Sequence, residues 1–459
     1  MMKPDTEAYC KGAIHMARNP DVYLLYEYSK KNAFTVRYKV MLSDAVDEEL
    51  LTQAAREAIT RFPYYSVMVG LDEGENYVLL PNDCPFPVLP EKDERLMLGS
   101  EEMGGHLFAL TWRDDTIWFN WAHCCCGAFG ALPWIKTTLY QYLAKKYGKI
   151  EPPADLKAVG TPVDDAEYAY ADPDSLPAKD PAQRYEGGDS NVGIEQDYLY
   201  FLNPFAKNVY YYQLEFDSNL FMDYARRIGG SPNSVLAALM LKTTVHYFSE
   251  RKDQHVPENI VSERKNQHIS AKIAADYRKD IGCNESYRDF VRFIHVKYEW
   301  EMEKEPIEKL SQMARKAINQ QRKPENSFEW YRTLVDAQRG IDSQPDLRSK
   351  IKYARKHSIY RSDSRDTYMV SYVGQTEWGG MAKYIRSAFT ITDGNLMLEV
   401  NALPDKFCVT FQLLSRDRKP LDRFCEVLQE EGLSFTVSDR KIRYMPDLVL
   451  PKPEKPKNV

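Results

Sequence analysis

The sequence has little of three features that would assign it to a specialised class of protein. It has no uninterrupted apolar run near the ~20 residues that a helix needs to cross a bilayer, and its first residues, Met1–Glu7, contain no apolar signal core. It also has no excess of basic charge, since 61 Lys and Arg stand against 67 Asp and Glu. The net charge is −6 and the pI is near 5.9. We therefore expect a cytoplasmic protein with no membrane span and with no nucleic acid as its main partner.

The cysteines lack the spacings that hold zinc or build a disulfide framework. None of the 8 cysteines forms a Cys-x-x-Cys pair or stands with histidines at a metal-binding spacing, so we expect neither a metal site nor disulfides. Cys124, Cys125 and Cys126 are adjacent, and free cysteines are usually small apolar fillers of the interior. The alternative is a thiol enzyme that uses Cys124 or Cys126 beside His123. No third residue that would orient such a pair can be identified.

What the sequence does have is enough apolar content for a large core. Its 459 residues are 43% hydrophobic, which fits two or three average domains or two lobes of one enzyme. A stretch that begins at Glu151 is rich in Pro, Asp, Ala and Gly and has little periodicity. Such a composition is typical of a surface linker, so we place a boundary between lobes there.

The most informative stretch surrounds a single histidine. Ile117–Ala122 is uncharged and rich in aromatic and β-favouring residues, which predicts a buried strand. His123 follows directly, and Gly127 and Gly130 then allow a sharp turn before the helical pattern of Leu132–Tyr147. A strand that ends in this way places the imidazole of the histidine at the strand's end, at the edge of a cleft. Because the ordinary pKa of histidine lies near physiological pH, His123 is placed to act as a base.

The elements before this histidine alternate between strands and one amphipathic helix. Hydrophobic periodicity predicts a strand, then a helix that is ended by a Phe-Pro pair, then a hairpin and a further strand. In order, these are Phe34–Leu42, Glu48–Arg61, Val67–Leu71 with Asn76–Leu80, and Leu107–Trp112.

This order of elements, with the pattern strand, His-x-x-x-Asp-Gly and helix, resembles the CoA-dependent acyltransferase superfamily. The superfamily includes chloramphenicol acetyltransferase, peptide-synthetase condensation domains and alcohol acetyltransferases. His123 matches the histidine of its motif, whereas Gly127 stands at the position of the Asp and Ala128 at that of the Gly. The resemblance covers roughly residues 1–150 without a large gap.

The second half of the chain carries further matches to the same superfamily. His268–Arg278 reads as a strand that ends in Asp-Tyr-Arg, similar to a segment whose arginine the superfamily pairs with the motif Asp, and Val291–Tyr298 follows as another strand. Gly374, Trp378 and Gly379 lie where the superfamily has its second signature. The remaining predicted elements are a strand at Val209–Phe216, helices at Asn219–Ile228 and from Ser231 to Val245, strands at Tyr368–Gly374, Ala388–Thr392, Leu396–Asn401 and Lys406–Leu413, and a helix at Leu421–Glu431.

A basic cluster lies near the end of the charged, helical segment Pro306–His357, for which we predict two or three amphipathic helices. Its members include Lys350, Lys352, Arg355 and Lys356. One interpretation is a solvated helix face. The other is a contact for the phosphates of CoA or of a phosphopantetheinyl carrier.

The resemblance implies an α/β fold with two chloramphenicol acetyltransferase-like lobes, each a mixed sheet with helices, and an active-site tunnel between the lobes. On this chain the N-terminal lobe would be residues 1–150, the linker 151–195 and the C-terminal lobe 196–450, with a disordered tail at 451–459.

The resemblance also implies a function. The chain would transfer an acyl group from a CoA or carrier thioester to a hydroxyl or amine acceptor, with His123 as the general base. It would bind no cofactor permanently, and acyl-CoA or an acyl carrier protein would be its donor. Gly127, Ala128, Gly130 and Arg278 would support the site. The alternative is a catalytically degraded, condensation-domain-like protein that binds a thioester or a protein partner.

Overall fold

The computed structural model describes residues 23–29, 33–178, 209–250, 269–358, 366–392, 394, 396–413 and 416–452. The helices in these ranges are α1 (Tyr23–Glu27), α2 (Glu48–Ile59), α3 (Ala128–Tyr147), α4 (Ser218–Arg227), α5 (Pro232–Glu250), α6 (Ile307–Gln321), α7 (Pro324–Asp342), α8 (Leu347–Lys356) and α9 (Lys419–Glu430). The strands are β1 (Thr35–Leu42), β2 (Val67–Leu71), β3 (Tyr77–Pro81), β4 (Val88–Pro90), β5 (Met97–Leu98), β6 (Phe108–Arg113), β7 (Thr116–Ala122), β8 (Val209–Asp217), β9 (Ile269–Asp276), β10 (Val291–Tyr298), β11 (Tyr368–Gln375), β12 (Ile385–Ile391), β13 (Met397–Ala402), β14 (Lys406–Leu413), β15 (Phe435–Val437), β16 (Lys441–Arg443) and β17 (Asp447–Leu448).

A five-stranded sheet forms the centre of the N-terminal lobe. Its strand order is β12-β1-β7-β6-β4, and β7 lies in the middle with antiparallel partners on both sides. Alternation along β1 sends Val36, Tyr38 and Val40 into the core that α2 and α3 cover. The opposite face of β1 carries Arg37 and Lys39, both of which are also buried. Both faces of this sheet are therefore covered.

The second lobe is built on an eight-stranded mixed sheet. Its main path runs β10-β9-β11-β13-β14-β8-β15, and β16 also pairs with β8. Helix α5 packs against this sheet, and its residues Val235–Leu241 are buried on every side. A helix that is apolar all round belongs in a protein interior, which explains why this segment is central to the lobe. The predicted two-lobed α/β architecture with mixed sheets is confirmed.

Segments from late in the chain complete the N-terminal lobe. Strand β12 pairs with β1 over Arg37 to Leu42, and β17 pairs with β5. We predicted two strands around Asp393–Asn395, and the structure has β12 and β13 there, but they lie in different sheets. Because β12 crosses between the lobes, the two sheets are joined by continuous backbone as well as by side-chain packing.

Local boundaries agree to the residue for three of the strands. Strands β2, β10 and β14 begin and end where the sequence predicted. Helix α3 begins at Ala128, four residues before the predicted Leu132, because its first turn lies in the small-residue loop and has no periodicity to reveal it. In the described ranges, no helix has the length and apolar character required to cross a bilayer.

The described part of the predicted linker, residues 151–178, packs against both lobes. Glu167 is buried and forms an ion pair with Arg61 of the N-terminal lobe at 2.7 Å. Tyr331 of the C-terminal lobe donates a hydrogen bond to the Ala171 carbonyl at 2.7 Å. The remainder of the predicted linker, and residues 453–459 of the predicted tail, lie outside the described residues.

This packing gives a test of the linker by limited proteolysis. Lys157 is the only tryptic site in residues 151–178, its ammonium pairs with Glu167 at 3.2 Å, and its carbonyl accepts from Thr137 at 2.7 Å. We expect trypsin to leave the bond after Lys157 intact in the folded protein and to cut first in residues 179–195 or after Pro451, as the composition predicts. Early cleavage at Lys157, read by mass spectrometry, would contradict this packing.

Candidate active site

The backbone around His123 is fixed by a short series of hydrogen bonds. Strand β7 ends at Ala122, and the His123 amide donates to the Phe34 carbonyl at 2.7 Å, which extends the pairing with β1 by one residue. The Trp121 indole then donates to the Cys126 carbonyl at 3.0 Å. Helix α3 starts directly afterwards, with Gly127 as its N-cap residue. The histidine is thus held at a strand end between two rigid elements.

The His123 side chain faces an aspartate from the other lobe. Its Nδ1 lies 3.2 Å from Oδ2 of Asp289, which belongs to the loop between β9 and β10. The exposed fraction is 33% for the His123 side chain and 15% for that of Asp289. His123 therefore lies where the two lobes meet, with part of its ring accessible.

Electrostatics at this contact favour the charged imidazole. Burial of the His123 ring lowers its pKa. The pKa is raised by the Asp289 carboxylate, by a contact with the residue's own carbonyl and by the more distant Glu399. The raising effects are larger, and the resulting pKa is about 9. The ordinary value is 6.5. At neutral pH the ring is consequently an imidazolium paired with a carboxylate.

Two glycines make room for the segment that carries Asp289. A Cβ atom at Gly127 would overlap the Asp289 carboxylate, with the carboxyl carbon only 3.0 Å away. A Cβ at Gly130 would overlap the Tyr287 carbonyl, whose carbon lies 2.8 Å from the Cβ position. The close approach of the Tyr287 backbone therefore requires glycine at position 130, whereas a side chain at position 127 would have to displace the Asp289 carboxylate. Ala128, the first residue of α3, is half-buried beside them.

Arg278 has partners other than the one that the sequence suggested. The superfamily pairs this arginine with the motif Asp, and this chain has Gly127 at that position, so another acidic residue such as Glu377 would have to take its place. Instead the guanidinium pairs with Asp276 and donates to the carbonyls of Ser286, at 2.9 Å, and Arg288. The Glu377 side chain is exposed, and its carboxylate accepts from the Gly379 amide at 3.2 Å. Arg278 thus holds the loop that carries Asp289.

The three adjacent cysteines pack as interior fillers. Cys124, Cys125 and Cys126 are each at most 1% exposed and belong to the core of the N-terminal lobe. A thiol needs access to its substrate, and its nucleophilic form is a thiolate that burial disfavours. This placement supports the interpretation of the cysteines as core residues over that of a thiol enzyme.

The segment resembling a second signature lies where the linker starts. Trp378 is 1% exposed in the N-terminal core. Gly379 has a positive φ of 52°, and a Cβ there would be 2.7 Å from the backbone nitrogen of Pro153. Gly374 also has a positive φ, 99°, at an irregularity in β11. These glycines serve turns and close backbone packing.

The predicted phosphate-binding lysines and arginine lie on α8. Lys350 is 2% exposed and its ammonium donates to the Gly74 carbonyl. Arg355 donates to the Tyr28 carbonyl at 2.7 Å. The side chains of Lys352 and Lys356 are exposed. The phosphate contact stays a prediction for all four residues.

A separate cleft of about 870 Å³ lies between the two sheets. Lys39 from β1 and Gln213 from β8 meet across it at 3.1 Å, and burial lowers the pKa of Lys39 to about 8. Lys406 on its wall pairs with Glu215 at 3.1 Å. Residues of both lobes therefore line one open cleft along this face of β1.

Sequence comparisons find no matching protein-family model and no matching curated protein. Structure comparison finds TRI101 of F. sporotrichioides, crystallised with coenzyme A and T-2, at a TM-score of 0.55 and 10% identity, over 89% of this chain and 97% of that one. TRI3 trichothecene 15-O-acetyltransferase of Fusarium sporotrichioides matches at 0.52 and 10% identity, over 90% and 93%. Polyketide synthase associated protein 5 of Mycobacterium tuberculosis matches at 0.50 and 12% identity, over 89% and 95%.

At these identities the likeness shows the fold. The chain has the two-lobed fold of the CoA-dependent acyltransferases, and the resemblance inferred from the sequence is confirmed at that level.

Sequence reasoning placed His123 at the end of its strand but missed Asp289. Asp289 lies 166 positions further on, in a Tyr-Arg-Asp-Phe stretch with no periodicity of its own. The one available signal for Asp289 was the glycine at position 127. Because the motif has Asp there, its absence suggests that another residue supplies a carboxylate near His123.

Proposed function

We propose that the chain is an acyltransferase that moves an acyl group from a CoA or carrier thioester to a hydroxyl or amine acceptor, with His123 as the general base. The observation that supports this most directly is the placement of His123. It lies at the meeting of the lobes, is partly accessible, and is paired through Nδ1 so that Nε2 can face a substrate. Such an arrangement suits a base because one ring nitrogen is anchored and the other is left for proton transfer.

The proposed reaction needs no nucleophilic side chain. Nε2 of neutral His123 takes the proton from the acceptor hydroxyl or amine while that oxygen or nitrogen forms a bond to the thioester carbonyl carbon. The tetrahedral intermediate then collapses, the carbon–sulfur bond breaks, and the imidazolium returns the proton to the departing thiolate. The Asp289 carboxylate stabilises the positive charge that His123 carries between the two steps.

The raised pKa of His123 predicts an alkaline pH dependence for this reaction. Because the base must be neutral and its pKa is about 9, only about 1 in 100 molecules is competent at pH 7. We expect kcat/KM to rise about tenfold per pH unit from pH 6 and to level off near pH 9. A profile that is flat between pH 6 and 9, in protein that stays folded, would argue against His123 as the base.

The proposal is tested by binding and transfer assays with a simple donor. The chain would be captured on immobilised CoA, and release of free CoA from acetyl-CoA would be followed with a thiol reagent at pH 8.5 to 9, with and without a panel of alcohols and amines. Acceptor-dependent thiol release supports transfer. Release that no acceptor increases would be hydrolysis, and it would argue against the acyltransferase assignment.

The second candidate is a catalytically degraded protein of the same fold that binds a thioester or a protein partner. The observation that favours it is the state of His123 at neutral pH, where the imidazolium cannot accept a proton. Retention on immobilised CoA, together with no transfer at any pH up to 9.5, would favour this alternative. For either function, contact between the phosphates and Lys350, Lys352, Arg355 or Lys356 remains part of the proposal.

A further inference from the structure

We propose that Asp289 is the positioning residue for His123 and that it supplies, from the other lobe, the carboxylate that the loop lacks at Gly127. The catalytic meaning of this inference rests on the proposed function. Its central claim concerns the protonation and orientation of His123 in the folded chain, so it can be tested without any turnover.

The space around Gly127 supports the proposal that Asp289 replaces a carboxylate at position 127. Since a Cβ at Gly127 would overlap the Asp289 carboxylate, a side chain at position 127 and that of Asp289 compete for one volume. That volume adjoins Nδ1 of His123, which is 3.2 Å from Oδ2 of Asp289. The loop therefore has room for one carboxylate, and the residue that provides it is Asp289.

The path of the loop from β9 to β10 shows how Asp289 is held in place. Arg278 donates to the carbonyls of Ser286 and Arg288, which flank Tyr287. The Tyr287 carbonyl itself rests against Gly130 at the start of α3. At the base of the loop, the Tyr277 amide donates to the Phe290 carbonyl at 2.9 Å. Asp289 is thus fixed by backbone contacts on both sides, as a positioning residue requires.

The chemistry of the pair follows from its geometry. A carboxylate at Nδ1 keeps the proton on that nitrogen, so the lone pair of neutral His123 is on Nε2. Two acidic groups raise the pKa of the ring, Asp289 from the β9–β10 loop and Glu399 from β13. The loop carries three cations, Arg278, Lys279 and Arg288. Both arginines donate to backbone carbonyls, and Lys279 is exposed. Asp289 is the acidic group in direct contact.

The first experiment measures the His123 pKa by NMR titration of the imidazole signals, with the His123 resonance identified from a His123→Gln variant. We expect Asp289→Asn, which keeps the side-chain shape, to lower the His123 pKa from about 9 to near the ordinary 6.5. The matched control is Glu399→Gln, which removes the other acidic group and should lower the pKa by less than half as much. If Asp289→Asn leaves the pKa above 8, Asp289 does not set the protonation of His123 and the inference is wrong.

The same variant separates this inference from the proposed function. If the chain transfers acyl groups, Asp289→Asn should move the rising limb of the pH profile toward lower pH while lowering the plateau rate by about tenfold or more. If no transfer occurs in any variant, the proposed function fails, yet the NMR result still decides the role of Asp289.

The second experiment tests the shared volume directly. Gly127→Asp in an Asp289→Gly background should fold with a higher melting temperature than Gly127→Asp alone, and should restore part of the raised His123 pKa. A double variant that is no more stable than Gly127→Asp would contradict the claim that the carboxylates at positions 127 and 289 occupy one volume.

Discussion

A His123→Ala variant is expected to transfer acyl groups about 100-fold more slowly than the unaltered chain, or more slowly still, because a positioned general base contributes at least that much. The effect should be largest near pH 9, where His123 of the unaltered chain is about half neutral. Initial rates of acceptor-dependent CoA release, measured across pH, give the comparison.

The matched control for this variant is His357→Ala. His357 is exposed at the end of α8, so removing its ring removes a histidine without altering the site. We expect this control to keep the unaltered rate, and both variants to keep their retention on immobilised CoA. Equal losses in the two variants, or a His123→Ala rate within threefold of the unaltered chain, would contradict the assignment of His123 as base.

The Gly127→Asp variant, which restores the motif carboxylate, is expected to destabilise the protein. A Cβ at position 127 overlaps Asp289, and the added carboxylate would place two negative charges in one partly buried space. A buried charge without a compensating partner costs on the order of 2–4 kcal/mol, so we expect a fall in melting temperature of several degrees. Calorimetry or denaturant unfolding measures the change.

A Gly127→Ala variant separates shape from charge in this prediction. Alanine adds the overlapping Cβ but no carboxylate, so its loss of stability should be the smaller of the two. The excess loss in Gly127→Asp should shrink as the pH falls toward 4, because protonation of one carboxyl relieves the repulsion. A rise in melting temperature for Gly127→Asp would show that the loop keeps the ancestral arrangement with Arg278.

The interpretation of Arg278 shows what sequence comparison misses about the site. The arginine stands where the superfamily has it, but its guanidinium binds Asp276 and two loop carbonyls rather than a motif Asp. A family resemblance can predict where a residue such as Arg278 lies. The residues that it contacts depend on which neighbours the fold places beside it.

By itself the sequence determined the local elements and the location of His123, and its resemblance to the acyltransferase superfamily implied the two-lobed architecture. Alternation of side chains predicted strands such as Phe34–Leu42, which the structure shows as β1, because successive residues of a strand point to opposite faces of the sheet. The buried strand before His123 was predictable from its uncharged, aromatic-rich composition, and the turn after it from Gly127 and Gly130.

Only the tertiary structure decided which elements pack or pair with one another. The pairing of β12 with β1 joins residues more than 340 positions apart, and the contact of His123 with Asp289 joins residues of different lobes. Such pairings depend on the packing of whole lobes and have no local periodicity. The state of His123 is therefore set by a neighbour that its own stretch of sequence does not contain.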